Sequence, residues 1–281
     1  MRRQSTFQNK IPTFYLVATP IGNLQEMTPR AIEVLKQVEV IAAEDTRNTR
    51  KLLSHFDIKT KLVTHHRYNQ KESAVGLIKY LSAGKDVALV SDAGYPLICD
   101  PGSLVVDEVI KAGFNVTVVN GSSALLSGLI GSGLTTQPFY FHGFLPHNSN
   151  DAKKQLVDLS HYPMTLVFFE ASHRIKRTLS LIFDILGDRK ICLARELTKL
   201  FEEYFRGNIS EILPVLEEVK GEFVLIVEGK PDNEPDIVYS DLQNRVEQYI
   251  TEGYTASQAI KKVAEQANIS KNKLYNYIHQ A

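Results

Sequence analysis

The segment with the clearest capacity for chemistry is SDAGYPLICDPG, residues 91–102, which directly follows the apolar run VALV. Its glycines allow the backbone to approach a bound molecule or to take positive φ, and its prolines stiffen the turns. Because ligands bind at the carboxyl ends of strands in open α/β sheets, the pattern predicts a ligand-binding loop, with Ser103 capping the helix that follows. An ordinary strand-to-helix connection is the alternative.

Five other polar or glycine-containing turns also follow predicted strands. In the first half of the chain they are ATPIGNL at residues 18–24, EDTRNTR at 44–50 and NGSSALLSG at 120–128. In the second half they are EASHRIKR at 170–177 and ARELTK at 194–199. Loops at the carboxyl ends of parallel strands emerge at one edge of a sheet, so the turns of the first half are expected to converge on one crevice.

Several other chemistries have little support in the sequence. There is no P-loop lysine motif, and ATPIGNL has too few glycines for a dinucleotide fingerprint. His65 and His66 are adjacent and would point to opposite sides of an extended segment, so no metal site is expected there. Cys99 and Cys192 lie far apart, which predicts neither a disulfide framework nor a zinc site, and the sequence places no obvious activating base beside Cys99.

The elements that position the first-half loops alternate between strand and helix patterns, as in a parallel α/β sheet. Thr28 followed by Pro29 predicts a helix start, and Asp45 or Thr46 is the predicted cap of the next helix. The predicted strands cover residues 14–18, 40–43, 61–64, 87–90 and 116–119.

The alternation pauses near GLTTQPFY, and the strands that follow run partly in succession, which predicts a mixed second sheet with a hairpin at EEYFRGN. GKPDNEPD, residues 229–236, is typical of a linker. Two of the three helical segments beyond it resemble a helix-turn-helix, and a bundle that caps the sheet or mediates dimerisation is the equal alternative. The predicted domains are an N-terminal α/β domain at 13–135, a second α/β domain at 139–229 and a helical module at 241–281.

The composition is that of a soluble globular protein, with 43% hydrophobic residues, 23% charged residues and a formal net charge of zero. No apolar window is long enough to span a membrane, and MRRQSTFQNKIP lacks the apolar region of a secretory signal, so the expected location is the cytoplasm. The charges are nonetheless uneven. Residues 44–67 and 254–281 are locally basic, so surfaces for an acidic partner are available, although a solvated helix face is the simpler reading of each.

Taken in order, ATPIGNL with TPRA, IAAEDTR, SDAGYPLICDPG, GSSAL, EASHRI and RELTK resemble the ribosomal RNA small subunit methyltransferase I family, a branch of the tetrapyrrole methylase superfamily. The resemblance covers about residues 13–230, and the helical tail is similar to that family's appendage. It implies two α/β domains with S-adenosylmethionine in the cleft between them. It further implies methyl transfer to the ribose 2′-hydroxyl of a cytidine in the decoding region of 16S rRNA, and a homodimer. One departure is Asn120, where the superfamily often has proline.

The resemblance also implies which residues contact the cofactor. Backbone and apolar groups are implied to contact the adenosine, and a few polar groups are implied at the edge of the cofactor. The implied cofactor residues are Pro20, Gly22, Asp92, Ala93, Gly94, Tyr95, Ile98, Ser123, Ala124, Phe169, Glu170 and Glu228.

A ribose hydroxyl must lose its proton during methyl transfer, so a general base, or a cation that stabilises the developing alkoxide, is expected. Cys99 and the aspartates of residues 91–102 are expected to shape the loop rather than to react. The unranked catalytic candidates are Glu44, Asp45, Arg195, Glu196 and Lys199. The expected RNA contacts are Arg47, Arg50, His173, Arg174, Lys176, Lys271 and Lys273.

Two other functions stay open at this point. The acceptor could be a tetrapyrrole, as elsewhere in the superfamily, or the chain could be a non-catalytic RNA-binding or ribosome-associated protein. The basic segments EDTRNTR and HRIKR and the helical tail favour an rRNA acceptor over a small molecule. Whether that acceptor is naked rRNA or an assembled subunit is left undecided by the sequence.

Overall fold

The structure, a computed structural model, describes residues 3–6, 8–66, 69–100, 102–216, 220–231, 239–267 and 271–280. It divides into two compact units, Met1–Lys230 and Pro231–Ala281. The sequence predicts two α/β domains within the first unit, and the structure places one sheet in each of the predicted ranges.

The first sheet has the strand order β3-β2-β4-β1-β5, and every strand pair in it is parallel. The central strands β2 and β4 are buried along their whole length, as the apolar runs VIAA and VALV predict. The strands are β1 (Thr13–Val17), β2 (Val40–Ala43), β3 (Lys61–Thr64), β4 (Val87–Val90) and β5 (Asn115–Val119). The helices are α1 (Pro29–Gln37), α2 (Thr46–His55), α3 (Gln70–Ser82), α4 (Ser103–Lys111) and α5 (Ala124–Gly131).

Alternate residues of the strands pack into cores on opposite faces of this sheet. Val17 and Ile41 pack in one core with Leu35 of α1, whereas Phe14 and Leu89 pack in the other, which includes side chains of α3 and α4. Each face of the sheet is therefore covered, and the carboxyl edge of the strands is left for the loops that carry polar residues.

The helix starts follow the sequence signals with one exception. The Thr28 hydroxyl accepts a hydrogen bond from the Ala31 N–H, and the Asp45 carboxylate accepts one from the Arg47 N–H, as side-chain caps do. The predicted cap at Ser103 is wrong. The cap position of α4 is Gly102, whose φ of +148° suits glycine, and Ser103 is already the first helical residue.

The second sheet has the order β6-β7-β10-β8-β9, with β6 and β7 parallel and the other pairs antiparallel. The predicted two-sheet α/β fold class, with a mixed second sheet, is confirmed. The hairpin predicted at residues 202–208 is present, but these residues form its second strand, β9, which pairs antiparallel with the strand before it, and the turn lies at residues 196–202. The elements are β6 (Phe139–Phe144), α6 (Ser149–Leu159), β7 (Thr165–Ala171), α7 (Ser172–Leu186), β8 (Lys190–Arg195), β9 (Glu203–Asn208), α8 (Ile209–Val215) and β10 (Glu222–Val227).

The second unit contains the helices α9 (Tyr239–Thr251), α10 (Ala256–Gln266) and α11 (Lys271–Gln280). Leu242, Ile260 and Leu274 are buried in a core that all three helices share. The predicted linker at residues 229–236 falls largely on residues 232–238, which lie outside the described residues. Within the described part of the chain, no helix has the length and apolar character that a membrane crossing requires.

Candidate active site

The loops that follow β1, β2, β4 and β5 meet at the carboxyl edge of the first sheet. Thr19 and Gly94 exchange two backbone hydrogen bonds, of 2.9 and 3.0 Å, which join the loop after β1 to the loop after β4. The Asn48 side-chain amide donates to the Asp92 carboxylate (3.3 Å), and the Gly121 N–H donates to the Tyr95 hydroxyl (3.2 Å). The loop after β4 is therefore bonded to each of the other three.

A cavity of about 470 Å³ lies between these loops and the second sheet. Its walls are mostly apolar, and small or flexible residues at Ala93, Gly94 and Ala124 leave room for a ligand to approach the backbone. Gly94 has a φ of +73°, which other residues adopt only at a cost. The residues predicted as cofactor contacts that line the cavity are Asp92, Ala93, Gly94, Tyr95, Ile98, Ser123, Ala124, Phe169 and Glu170.

Pro20, Gly22 and Glu228 are not among the lining residues. Pro20 is buried within the loop after β1. A Cβ atom at Gly22 would lie 2.5 Å from Lys199 Cγ, so Gly22 permits close contact with the RELTK segment and does not face a ligand. Glu228 follows the end of β10 that is remote from the cavity, where its carbonyl accepts a hydrogen bond from Arg189. Its position does not support the predicted cofactor contact.

Apart from Phe169, the apolar wall that the second sheet contributes was not predicted from the sequence. Phe144, Leu197, Phe223 and Val224 all line the cavity. Their only sequence signal is that they lie at or beside strand ends, and an apolar residue there is equally expected of an ordinary core.

Glu170 closes one end of the cavity as the acid of a buried hydrogen-bond network. Its side chain is 1% exposed and accepts hydrogen bonds from the Thr178 hydroxyl (2.6 Å) and the Ala171 N–H (2.9 Å). Arg174 Nε lies 3.3 Å from a Glu170 oxygen, and Arg174 Nη2 donates to the carbonyl of Leu145 (2.8 Å). The network joins β7 and α7 to the segment that follows β6.

Arg174, predicted to contact RNA, is thus committed to Glu170 and to backbone carbonyls with a side chain only 11% exposed. A buried guanidinium with these partners is poorly placed to contact a phosphate, so the position of Arg174 does not favour that prediction. The other predicted contacts in this unit, Arg47, Arg50, His173 and Lys176, are exposed. In the second unit, Lys271 is exposed and donates to the Ser257 hydroxyl, and the side chain of Lys273 lies outside the described residues.

Lys199 lines the cavity from the second sheet's side and is held by two carboxylates. Its Nζ lies 2.9 Å from Glu196 Oε1 and 3.0 Å from Glu222 Oε2. Burial acts to lower the pKa of Lys199, but the hydrogen bonds to Glu196 and Glu222 outweigh burial and raise it, so Lys199 is a cation at neutral pH. Glu196 and Thr198 hold positive φ values of +48° and +69°, a strained local backbone.

Three further catalytic candidates, Asp45, Arg195 and Glu44, do not line the cavity. Hydrogen bonds from the side chain and backbone of Arg47 lower the pKa of Asp45 to about 2, so this helix cap is a weak base. Arg195 pairs with Glu203 and donates to the carbonyl of Lys220. Glu44 is exposed at the end of β2 and does not line the cavity.

Asp100 lines the cavity, and its surroundings make its carboxyl hard to ionise. Burial, followed by the negative charges of Glu44 and Asp92, raises the pKa of Asp100 to about 6, against an opposing hydrogen bond with Ser91. From the sequence, the aspartates of this loop are expected only to shape it. One sequence signal could have indicated the raised pKa: Glu44 and Asp92 follow β2 and β4, which are neighbours in the sheet.

Among the described residues, no group of three or more His, Cys, Asp or Glu side chains is arranged to hold a metal ion. The raised pKa of the Cys99 thiol, caused by burial and then by the charge of Asp100, leaves it a poor nucleophile.

Residues 13–213 match the family model described as Tetrapyrrole (Corrin/Porphyrin) Methylases. The chain is 45% identical to the ribosomal RNA small subunit methyltransferase I of Bacillus subtilis, an alignment that covers 99% of each chain. The chain belongs to the ribosomal RNA small subunit methyltransferase I family of tetrapyrrole methylases. The family protein of Streptococcus pyogenes serotype M3 is 47% identical, again over 99% of each chain.

The fold is shared with more distant methylases. Uroporphyrin III C-methyltransferase from Thermus thermophilus superposes with a TM-score of 0.54 at 19% identity, over 77% of this chain and 97% of that one. The likeness concerns the fold alone.

Proposed function

We propose that this protein transfers the methyl group of S-adenosylmethionine to the ribose 2′-hydroxyl of a cytidine in the decoding region of 16S rRNA. The observation that carries the proposal is the 470 Å³ cavity, lined by nine of the residues that the family resemblance implies for the cofactor. The end-to-end similarity to proteins named as ribosomal RNA small subunit methyltransferases supports rRNA as the acceptor.

The cavity suits a nucleoside that carries an amino-acid tail. Its volume lies within the range of small-molecule sites, about 300–1,000 Å³. Ile98, Leu125 and Phe169 offer apolar surface to an adenine ring, whereas Asp92 and Ser123 offer polar partners for ribose and amino-acid groups. This combination of apolar surface and a few polar groups fits S-adenosylmethionine.

When bound, S-adenosylmethionine supplies a methyl group activated by the neighbouring sulfonium. The contribution of the chain is to hold the acceptor oxygen close to that methyl group and in line with the bond that breaks, and positioning of this kind lowers a barrier by several kcal/mol. Lys199 adds a fixed positive charge at the cavity, which stabilises negative charge on the ribose oxygen.

The acceptor RNA requires a wider surface than the cavity. Four exposed side chains on α2 and α7, helices that begin beside the site, are proposed to bind phosphates. They are Arg47, Arg50, His173 and Lys176. Lys271 and Lys273 of the second unit are proposed to add RNA contacts. A homodimer, a cytoplasmic location and a contact with the small ribosomal subunit are further parts of this proposal.

A strain that lacks this protein is expected to lose one ribose methylation in its small-subunit rRNA. Mass-spectrometric mapping of rRNA fragments measures the change, and the intact gene should restore the methyl group. Unchanged methylation would contradict the proposal. Methylation of a tetrapyrrole by the purified protein would favour the small-molecule alternative, and absence of S-adenosylmethionine binding in calorimetry would favour the non-catalytic one.

Replacement of Lys199 by methionine is expected to lower kcat about 100-fold, because the variant lacks the cation that stabilises the acceptor oxygen. The dissociation constant for S-adenosylmethionine should change little. Single-turnover methylation of rRNA and calorimetry measure the two quantities. Lys111→Met removes an exposed lysine of α4 and serves as the control, with activity equal to that of the parent protein. An equal loss in both variants would rule out a specific role for Lys199.

A further inference from the structure

Four carboxylates line the cavity, and three of them have partners that fix their role. Glu170 is bonded to Arg174 and Thr178, and Glu222 pairs with Lys199. Asp92 is exposed and accepts a hydrogen bond from Asn48. Asp100 differs from Glu170 and Glu222 because no lysine, arginine or histidine within the described ranges forms an ion pair with it, and from Asp92 because it is partly buried.

The groups that face Asp100 are acidic or weakly polar. The carboxylates of Glu44 and Asp92 lie near it, the Ser91 hydroxyl shares a hydrogen bond with it, and the neutral thiol of Cys99 adjoins it in the chain. A Cβ atom at Gly143 would lie 3.7 Å from Cys99 Sγ, which places this stretch of the loop against β6 of the second sheet. Asp100 itself lines the cavity, whose wall includes loops of the first sheet and strand residues of the second.

This environment matches the needs of a proton acceptor. Partial burial and then two neighbouring negative charges raise the pKa of Asp100 to about 6, so at neutral pH its carboxyl is still mostly ionised. An efficient general base has a pKa near the working pH. Asp100 meets this condition better than Asp45, because hydrogen bonds from Arg47 stabilise the charged form of Asp45.

We infer that the Asp100 carboxylate, in the wall of the cavity, accepts the proton of the ribose 2′-hydroxyl during methyl transfer. The inference rests on the proposed function. Asp100 takes the proton on a carboxylate oxygen while the ribose oxygen forms its bond to the methyl carbon, and the electron pair of the broken S–C bond stays on sulfur. Asp100 then releases the proton to water and returns to its charged form.

The first test compares Asp100→Asn with Asp107→Asn in the full-length protein. Asp107 is an exposed residue of α4 that pairs with Lys111, so its variant controls for the same chemical change away from the cavity. Asp100→Asn is expected to lower kcat by about 100-fold or more, because the amide cannot accept the proton. The parent rate should rise with pH to a plateau with a midpoint near about 6, and the variant should lack this step. Calorimetry should give the same dissociation constant for S-adenosylmethionine in both.

The second test needs no activity. A carboxyl whose pKa is raised from 3.8 to about 6 binds more protons in the folded state than in the unfolded state between those values, so stability falls as pH rises through that window. Asparagine does not titrate. Thermal unfolding should therefore show Asp100→Asn more stable than the parent protein at about pH 8, with the advantage absent below about pH 4. Asp107→Asn should show no such gain.

The outcomes separate the inference from the proposed function. Parent protein that methylates 16S rRNA, together with an Asp100→Asn variant of similar kcat and pH profile, would overturn the inference alone. At least tenfold weaker cofactor binding by the variant would overturn it as well, since Asp100 would then be a cofactor ligand. A parent protein with no rRNA methylation activity would overturn both.

Discussion

Gly94→Trp is expected to abolish the binding of S-adenosylmethionine and, with it, rRNA methylation. Gly94 lies in the cavity wall with a φ of +73°, and a Cβ atom there would already be 3.3 Å from Ile21 Cγ2. The indole ring would have to occupy the space proposed for the ligand. We expect the dissociation constant in calorimetry to rise at least about 100-fold, the equivalent of about 2.7 kcal/mol.

Gly113→Trp separates loss of the cavity from backbone strain. Gly113 also has a positive φ, of +93°, but no atom lies within 4 Å of its Cβ position. Both variants carry the cost of a left-handed conformation in a non-glycine residue, about 1–2 kcal/mol. Only Gly94→Trp should lose cofactor binding. Normal affinity in Gly94→Trp would show that the cofactor binds elsewhere, and the proposed site would have to be abandoned.

Glu170→Gln is expected to destabilise the protein by about 3–5 kcal/mol, the usual cost of removing one partner from a buried ion pair. The variant leaves the guanidinium of Arg174 buried without its counter-charge and replaces an acceptor of the Thr178 hydroxyl. Urea unfolding monitored by circular dichroism measures the change. We also expect weaker cofactor binding, because Glu170 lines the cavity and its partner Arg174 donates to the carbonyl of Leu145, the residue after the lining residue Phe144.

The exposed pair of Glu108 and Lys111 provides the comparison for Glu170. Glu108→Gln should cost at most about 1 kcal/mol, as is usual for ion pairs in water. A double variant, Glu170→Leu with Arg174→Met, should recover much of the stability lost by Glu170→Gln, because it removes both buried charges. If Glu170→Gln lowered the free energy of unfolding no more than Glu108→Gln does, the network of Glu170, Arg174 and Thr178 would not stabilise the fold.

Much of the first sheet could be predicted because its signals are local. The strands β2, β3 and β4 coincide with the runs VIAA, KLVT and VALV, and the other two differ from prediction by a single residue at one or both ends. Short β-branched runs between helical segments leave few alternatives to a parallel sheet, and the loops with glycine and proline then fall at one edge.

The features that could not be predicted depend on contacts between distant segments. Nothing in HRIKR distinguishes Arg174, buried against Glu170, from Lys176, exposed on the same helix. Likewise, the pKa of Asp100 depends in part on the charge of Glu44, which follows a different strand and is distant from Asp100 in the sequence. Ser103 and Gly102 illustrate the smaller, local kind of error, in which two adjacent residues both suit the start of a helix.

The order of strands in the first sheet has a consequence for how the chain is made. β1 leaves the ribosome before its sheet partners β4 and β5, so Phe14 has no strand neighbour until Val87 and Val116 have been synthesised. The loop after β1 is bonded to Gly94 and to the end of β5 and cannot be held in place before then. A nascent chain arrested before Val119 should therefore expose an apolar first strand to chaperones and should hold no cofactor, however long it waits.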